Sequence, residues 1–200
     1  MARVLISTIF QATSVALSIK KFDIDVVYLL IDKPPKAEQK QAIEDVRKLQ
    51  AIYKKSFEIK DQTIELYDAV KVAEDVVKII DSLPASDEIY VDVTHGRRTQ
   101  AVGVIFATYR RAERIKQLVY WTEEEKKMIA LPILPLKIKG KRELILKKID
   151  RCKNTFELIE KTRLNPVTVY RYTDDLRKRG FIEKTDGYFR TTDAGKIAVL

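Results

Sequence analysis

The sequence predicts an α/β protein in two parts: a mostly parallel sheet with helices on both faces, then a smaller module of three helices and a hairpin. Three observations carry this. Strand-like and helix-like segments alternate as far as residue 134, as in a run of β–α–β units. Pro132, Pro135 and Gly140 then bracket a short apolar stretch, which reads as a linker. Charge divides at the same place: residues 1–138 hold 22 Lys/Arg against 20 Asp/Glu, and residues 139–200 hold 16 against 9. Domains are therefore expected at 1–138 and 139–200.

In chain order, Arg3–Ser7, Val26–Ile31, Ser56–Ile59, Glu88–Val93, Gln117–Trp121 and Met128–Leu131 are short runs rich in Val, Ile, Leu or Tyr, and are expected to be strands. Ala12–Lys20, Lys36–Lys54, Asp68–Ser82 and Arg98–Arg114 are expected to be helices. In the third, Ala69, Val72, Ala73, Val76, Val77 and Ile80 recur at helical spacing and define one buried face. Val26–Ile31 is apolar throughout, as a strand covered on both faces requires. Met128–Leu131 follows Trp121 across the acidic stretch Glu123–Glu125, so the last two strands should form an antiparallel hairpin at a sheet edge.

Composition removes several function classes. Cys152 is the only cysteine, so no internal disulfide and no cysteine-built zinc site is possible within one chain. His95 is the only histidine, which excludes schemes that need two. No apolar run approaches the roughly 20 residues that span a bilayer. The N-terminal residues read as a strand and not as a signal peptide. A cytoplasmic protein with no membrane partner, no metal and no cofactor is expected.

In the C-terminal part, Arg142–Arg151 is amphipathic through Leu144, Ile145, Lys148 and Ile149. Thr155–Lys161 should be a second helix with Phe156 and Ile159 in the core and Asn154 or Thr155 as its N-cap. Asn165-Pro166 opens a third, since Asn caps well and Pro suits the first helical position, and Gly180 closes it. Val169, Thr173 and Leu176 share its core face, with Tyr172 beside them, partly buried. Val167, Thr168, Tyr170, Arg171 and Lys178 are left outside. Phe181–Lys184 and Tyr188–Arg190 then flank an Asp186-Gly187 turn. The stretch Thr168–Lys196 resembles the recognition helix and wing of bacterial and archaeal transcription regulators: Thr-Val-polar-Arg, a Leu seven residues after the Val, then Gly and two apolar residues. The resemblance implies a winged helix-turn-helix that binds double-stranded DNA. Asn165, Thr168, Tyr170 and Arg171 would face bases in a major groove about 12 Å wide. Lys178, Lys184 and Arg190 would meet phosphates. A protein-interaction module remains the alternative, and the positive charge by itself would equally suit a lysine-rich solvated surface.

In the N-terminal part, the strand Glu88–Val93 runs into Thr94-His95-Gly96-Arg97-Arg98-Thr99, where a helix begins. Ligands of open parallel sheets bind beyond such strand ends, and free N–H groups at a helix start attract anions. The first strand ends similarly in Ser7-Thr8-Ile9-Phe10-Gln11, so the two loops would form one polar pocket if those strands are neighbours. The plainer alternative is a helix cap with a solvated histidine.

Asp92-Val-Thr-His-Gly96 matches the Asp-x-Thr-His-Gly motif of CRISPR-associated Rossmann-fold (CARF) proteins. With the early Ser/Thr loop and the C-terminal winged helix, the whole chain resembles the archaeal CARF–winged-helix regulators of CRISPR loci, which serve antiviral defence. That resemblance implies a Rossmann-like CARF domain forming a homodimer. It also implies transcription regulation by a cyclic oligoadenylate second messenger, cyclic tetraadenylate in particular, bound by Ser7, Thr8, Phe10, Gln11, Thr94, His95, Gly96, Arg97, Arg98 and Thr99. The HEPN ribonuclease motif of many relatives, Arg-x4–6-His, is absent from this sequence. The alternative within the superfamily is a metal-independent ring nuclease that cleaves cyclic tetraadenylate, with Ser7 and Arg98 as its catalytic candidates.

Overall fold

The computed structural model describes every residue except 53–55, 66, 137 and 186. The chain forms two compact units, Met1–Pro135 and Leu136–Leu200.

The first unit alternates strand and helix: β1 (Arg3–Thr8), α1 (Ala12–Phe22), β2 (Val26–Asp32), α2 (Ala37–Ile52), β3 (Glu58–Ile64), α3 (Ala69–Ser82), β4 (Glu88–Asp92), α4 (Arg98–Arg110), β5 (Ile115–Trp121) and β6 (Met128–Leu131). The sheet order is β3-β2-β1-β4-β5-β6. The first five strands are parallel, and β6 closes the edge antiparallel to β5. The winding runs outward from β1 through β2 to β3, then returns to β4 and proceeds the other way. Right-handed crossovers therefore put α1 and α2 on one face and α3 and α4 on the other. The packing agrees. Val15 and Ile19 of α1 and Ala42, Ile43 and Val46 of α2 share a core with Leu5, Val27, Leu29 and Ile31. On α3, Val72, Ala73, Val76, Val77 and Ile80 are buried at the predicted spacing.

Two expectations in this unit need correction. The third strand is not Ser56–Ile59 but Glu58–Ile64, and it is largely polar. It is an edge strand that pairs with β2 alone, so much of its surface meets water and no apolar run is needed. The fourth helix ends at Arg110 rather than Arg114, and a 3-10 turn, Ala112–Arg114, leads into β5. The expected end of the second helix at Lys54 lies outside the described residues, as do Lys137 of the linker and Asp186 of the wing turn.

The second unit runs α5 (Lys141–Ile149), α6 (Thr155–Thr162), α7 (Pro166–Lys178), β7 (Ile182–Thr185), β8 (Tyr188–Thr191) and α8 (Asp193–Ala198), with β7 and β8 antiparallel. Ile145, Leu146, Ile149, Leu158, Val169, Leu176 and Ile182 form its core. Asn154 caps α6 and Asn165 caps α7, accepting from the Glu157 and Val167 amides at 2.9 Å. After α7, Gly180 has φ 75°. Its N–H reaches the Arg177 carbonyl, and that of Phe181 reaches Leu176, the paired bonds of a Schellman ending. Phe156 is not in the core: it is 73% exposed. Leu158 and Thr162, one helical turn apart, face inward, and a residue two positions before Leu158 points the other way.

The face between α3 and α4 yields a prediction. A Cβ added to Gly103 would lie 2.6 Å from Val72 Cβ and 2.7 Å from the Ala69 carbonyl oxygen. Gly103→Ala should cost about 1–3 kcal/mol through overpacking, read as a lower urea midpoint. An unchanged midpoint would mean that the two helices separate freely.

Candidate functional site

β1 and β4 lie side by side, with Ser7 opposite Asp92, at the one place where the winding reverses. Their loops and the starts of α1 and α4 are thereby brought together. The contact is close: a Cβ on Gly96, whose φ is 101°, would sit 2.9 Å from Thr8 Cβ. Glycine is required there by both the backbone angle and the approach.

The Asp92–Gly96 motif divides into a buried support and an exposed tip. Asp92 is fully buried. Its carboxylate accepts from the Thr94 amide at 2.9 Å, from the Thr94 hydroxyl, and from Ser18 Oγ of α1 at 3.0 Å. Trp121 closes the ring, donating its indole N–H to Ser18 Oγ at 2.8 Å and its backbone N–H to Thr94 Oγ1 at 2.9 Å. Burial pushes the Asp92 carboxyl above its usual range, while the bonds from Thr94 and Ser18 pull it back. The hydroxyl of Thr94 is thus engaged in holding the turn. Burial also lowers His95 below the ordinary imidazole value, against the opposing pull of Asp92 and Glu123.

A second support was not legible in the sequence. Gln39 and Gln100 are buried in the first turns of α2 and α4 and meet at Asp32, the last residue of β2. Gln39 donates to the Ile9 carbonyl at 2.8 Å and accepts from the Asp32 amide at 3.0 Å. Gln100 donates to Asp32 Oδ1 at 2.9 Å and accepts from the Arg97 amide at 3.0 Å. One carboxylate and two amides thus tie together the ends of β1, β2 and β4. The only signal available was a polar residue terminating an otherwise apolar strand.

Two open clefts meet at Phe10 and Gly96. One, of about 470 Å³, is lined by Ile9, Phe10, Asp32, Lys36, Tyr67, Gly96, Arg97, Arg98 and Thr99. The other, of about 490 Å³, is lined by Phe10, Gln11, Thr94, His95, Gly96, Glu123 and Lys126. Eight of the ten residues expected at this site, Phe10, Gln11 and Thr94 to Thr99, therefore line a cleft. Ser7 and Thr8 do not. Both are fully buried, and the Ser7 hydroxyl donates to the Thr8 carbonyl at 3.0 Å. Arg97 lies over the Tyr67 ring at 5.5 Å and 3.8 Å from Asp32, and among the described residues its Nε has no hydrogen-bond partner. Arg98 is exposed at the first position of α4, and among the described residues it pairs with no carboxylate. Lys36, Tyr67, Glu123 and Lys126 extend the clefts beyond the residues read from the sequence. Among the described residues, no group of three or more His, Cys, Asp or Glu is placed to hold a metal ion, and no helix is long and apolar enough to cross a membrane.

In the second unit, Asn165, Tyr170, Arg171, Lys178, Lys184 and Arg190 are exposed and Thr168 is half-buried. Asn165 and Arg190 are already engaged. The first caps α7, and the second donates to the Asp150 carbonyl at 3.0 Å. Lys178 pairs with Asp174 at 2.7 Å. Arg171 extends over the Tyr172 ring at 4.8 Å, with no acidic partner among the described residues.

A family profile described as HFX_2341_N:-like, N-terminal, matches residues 5–127. No curated protein matches the sequence. Three solved structures are similar in fold. Csm6 of Enterococcus italicus, bound to cyclic hexa-2'-fluoro-hexa-dAMP, aligns at 15% identity and TM-score 0.53 over 90% of this chain and 55% of its own. Protein VC1899 from Vibrio cholerae aligns at 9% identity and TM-score 0.50, over 98% and 64%. Can2 from Sulfobacillus thermosulfidooxidans, in complex with cyclic tetra-adenylate, aligns at 15% identity and TM-score 0.48, over 98% and 63%. The chain thus spans less than two thirds of each of these proteins. The mostly parallel six-stranded sheet flanked by helices matches a Rossmann-like CARF fold.

The lowered His95 value predicts a pH effect. The unfolded chain protonates its imidazole near the ordinary value of 6.5, and the folded chain resists until lower pH. Stability from this group is complete above that value and declines as pH falls below it. Between pH 7.5 and 5.5, His95→Gln should lose less of its urea midpoint than the parent does. Equal losses would place the pH dependence elsewhere.

Proposed function

The chain belongs to the HFX_2341_N-like, N-terminal family, and from that premise we propose that it is a CRISPR-associated transcriptional regulator. Its first unit binds a cyclic oligoadenylate, cyclic tetraadenylate in particular, at a dimeric CARF site. Its second unit is a winged helix-turn-helix that binds duplex DNA. The observation that carries the ligand half is the juxtaposition of two helix N-termini, α1 and α4, at the β1–β4 switch point, with Arg97 and Arg98 on the second. Unsatisfied N–H groups and fixed positive charge together favour phosphates. Two copies related by a two-fold axis would present this set twice to a ring of matching symmetry. Csm6, similar in fold and bound to a cyclic oligonucleotide, supports the ligand class.

The DNA half rests on the three helices and hairpin of the second unit, its net positive charge, and the exposed Arg171, which has no acidic partner among the described residues. The ring alters operator affinity by binding one arrangement of the dimer better than another. Half-sites one helical turn apart, or a multiple of that, suit such a dimer.

Cleavage is the competing chemistry for the same site. A nuclease must orient a ribose 2'-hydroxyl toward the adjacent phosphate, and the Ser7 hydroxyl offered for that role is buried and bonded to backbone. The proposed role of the site is binding without turnover.

Arg98→Ala should weaken cyclic tetraadenylate binding at least tenfold by calorimetry. The parent protein, incubated with the ring in EDTA, should release no linear di-adenylate detectable by chromatography. Multiple turnovers lost in Arg98→Ala would establish the nuclease instead. Arg171→Ala should weaken binding to the promoter of the chain's own gene far more than Lys116→Ala, with steep salt dependence in the parent. Equal effects would remove base reading by α7.

A further inference from the structure

The exposed face at the start of α7 is apolar where a helix surface is normally polar. Val167 is 74% exposed and Tyr170 is 54% exposed. They stand three positions apart, with Arg171 four positions after Val167, so the three side chains share one face. The opposite face, Val169, Thr173 and Leu176, is buried in the core of the unit, so this orientation is fixed by packing. Helix stability gives no reason for a β-branched residue in open solvent.

The occupant of this face follows from its charge surroundings. Arg171 follows the apolar pair directly, and residues 139–200 carry 16 Lys/Arg against 9 Asp/Glu. One turn beyond Arg171 the face changes character. Asp174 is held below the usual carboxylate range by Lys178 and Arg177, which it pairs with at 2.7 and 3.1 Å. A polyanion with apolar groups in a recess suits this arrangement. In duplex DNA the apolar group displayed in the major groove is the thymine 5-methyl.

We propose that Val167 and Tyr170 read thymine methyl groups, and that the operator contains thymine at the step facing the first turn of α7. This rests on the DNA-binding reading above and deepens it. Arg171 supplies the neighbouring hydrogen-bonded or phosphate contact, and the methyl contacts supply discrimination between thymine and cytosine.

The test begins with duplexes selected by the full-length protein from a random library. The tightest duplex is then remade with deoxyuridine at each thymidine in turn, which removes a methyl and leaves the pairing unchanged. One or two positions should weaken binding about fourfold each, the worth of one buried methyl-sized group. Val167→Ala and Tyr170→Ala, at sites too exposed to disturb folding, should each shrink the thymidine–deoxyuridine difference at one or more of those positions while keeping the parent's salt dependence. Tight, selective binding by the parent that ignores every methyl would overturn the inference and leave the DNA reading intact. Failure to select any duplex would overturn both. A methyl effect that persists unchanged in both Val167→Ala and Tyr170→Ala would assign the contact to other residues and also overturn the inference.

Discussion

The parallel pairing of β1 with β4 is the constraint on which the first unit's chemistry depends. Each strand alone ends in an ordinary loop. Because the chain winds outward from β1 in one direction and from β4 in the other, no crossover helix covers the gap between their ends. The loops converge there, and the distance between them is set by one atom-scale fit, the bare Cα of Gly96 against the Thr8 side chain. The N–H groups at the starts of α1 and α4 are left without helical partners in the same small volume.

The polar side chains around that volume perform two separate tasks. Asp92, Thr94, Ser18 and Trp121 form a closed hydrogen-bonded ring beneath the turn, and Asp32, Gln39 and Gln100 form a second on the β2 side. Both are largely buried, and both satisfy backbone or carboxylate groups that would otherwise be costly to remove from water. They hold the tip, where His95, Gly96, Arg97 and Arg98 remain accessible. A rigid base beneath a cationic tip suits recognition of a ligand of fixed shape, because little ordering remains to be done when it binds.

The sequence was readable where one physical signal dominated. The apolar run Val26–Ile31, the i, i+3, i+4 pattern of α3 and the Asn165-Pro166 and Gly180 punctuation of α7 each have a single structural meaning, and each appears in the fold. It was unreadable where tertiary context decides. β3 is polar because it is an edge. Phe156 sits outside because the phase of α6 is set by Leu158 and Thr162, and a short helix offers too few repeats to reveal that phase. In the candidate site, the motif read from the sequence runs from the end of β4 into the loop before α4, which lines the clefts. It could not distinguish a serine that opens onto a cleft from one that bonds the next carbonyl, as Ser7 does. Gln39 and Gln100 carry no motif, and their value comes from Asp32, distant in sequence.

The proposed anion site consists of backbone amides at two adjacent helix starts, reinforced by Arg97 and Arg98. Amide hydrogen exchange with and without cyclic tetraadenylate tests it most directly. Slowed exchange is expected at residues 10–13 and 96–99, with the β3 edge unaffected. Protection confined to other segments, or none at saturating ligand, would contradict it.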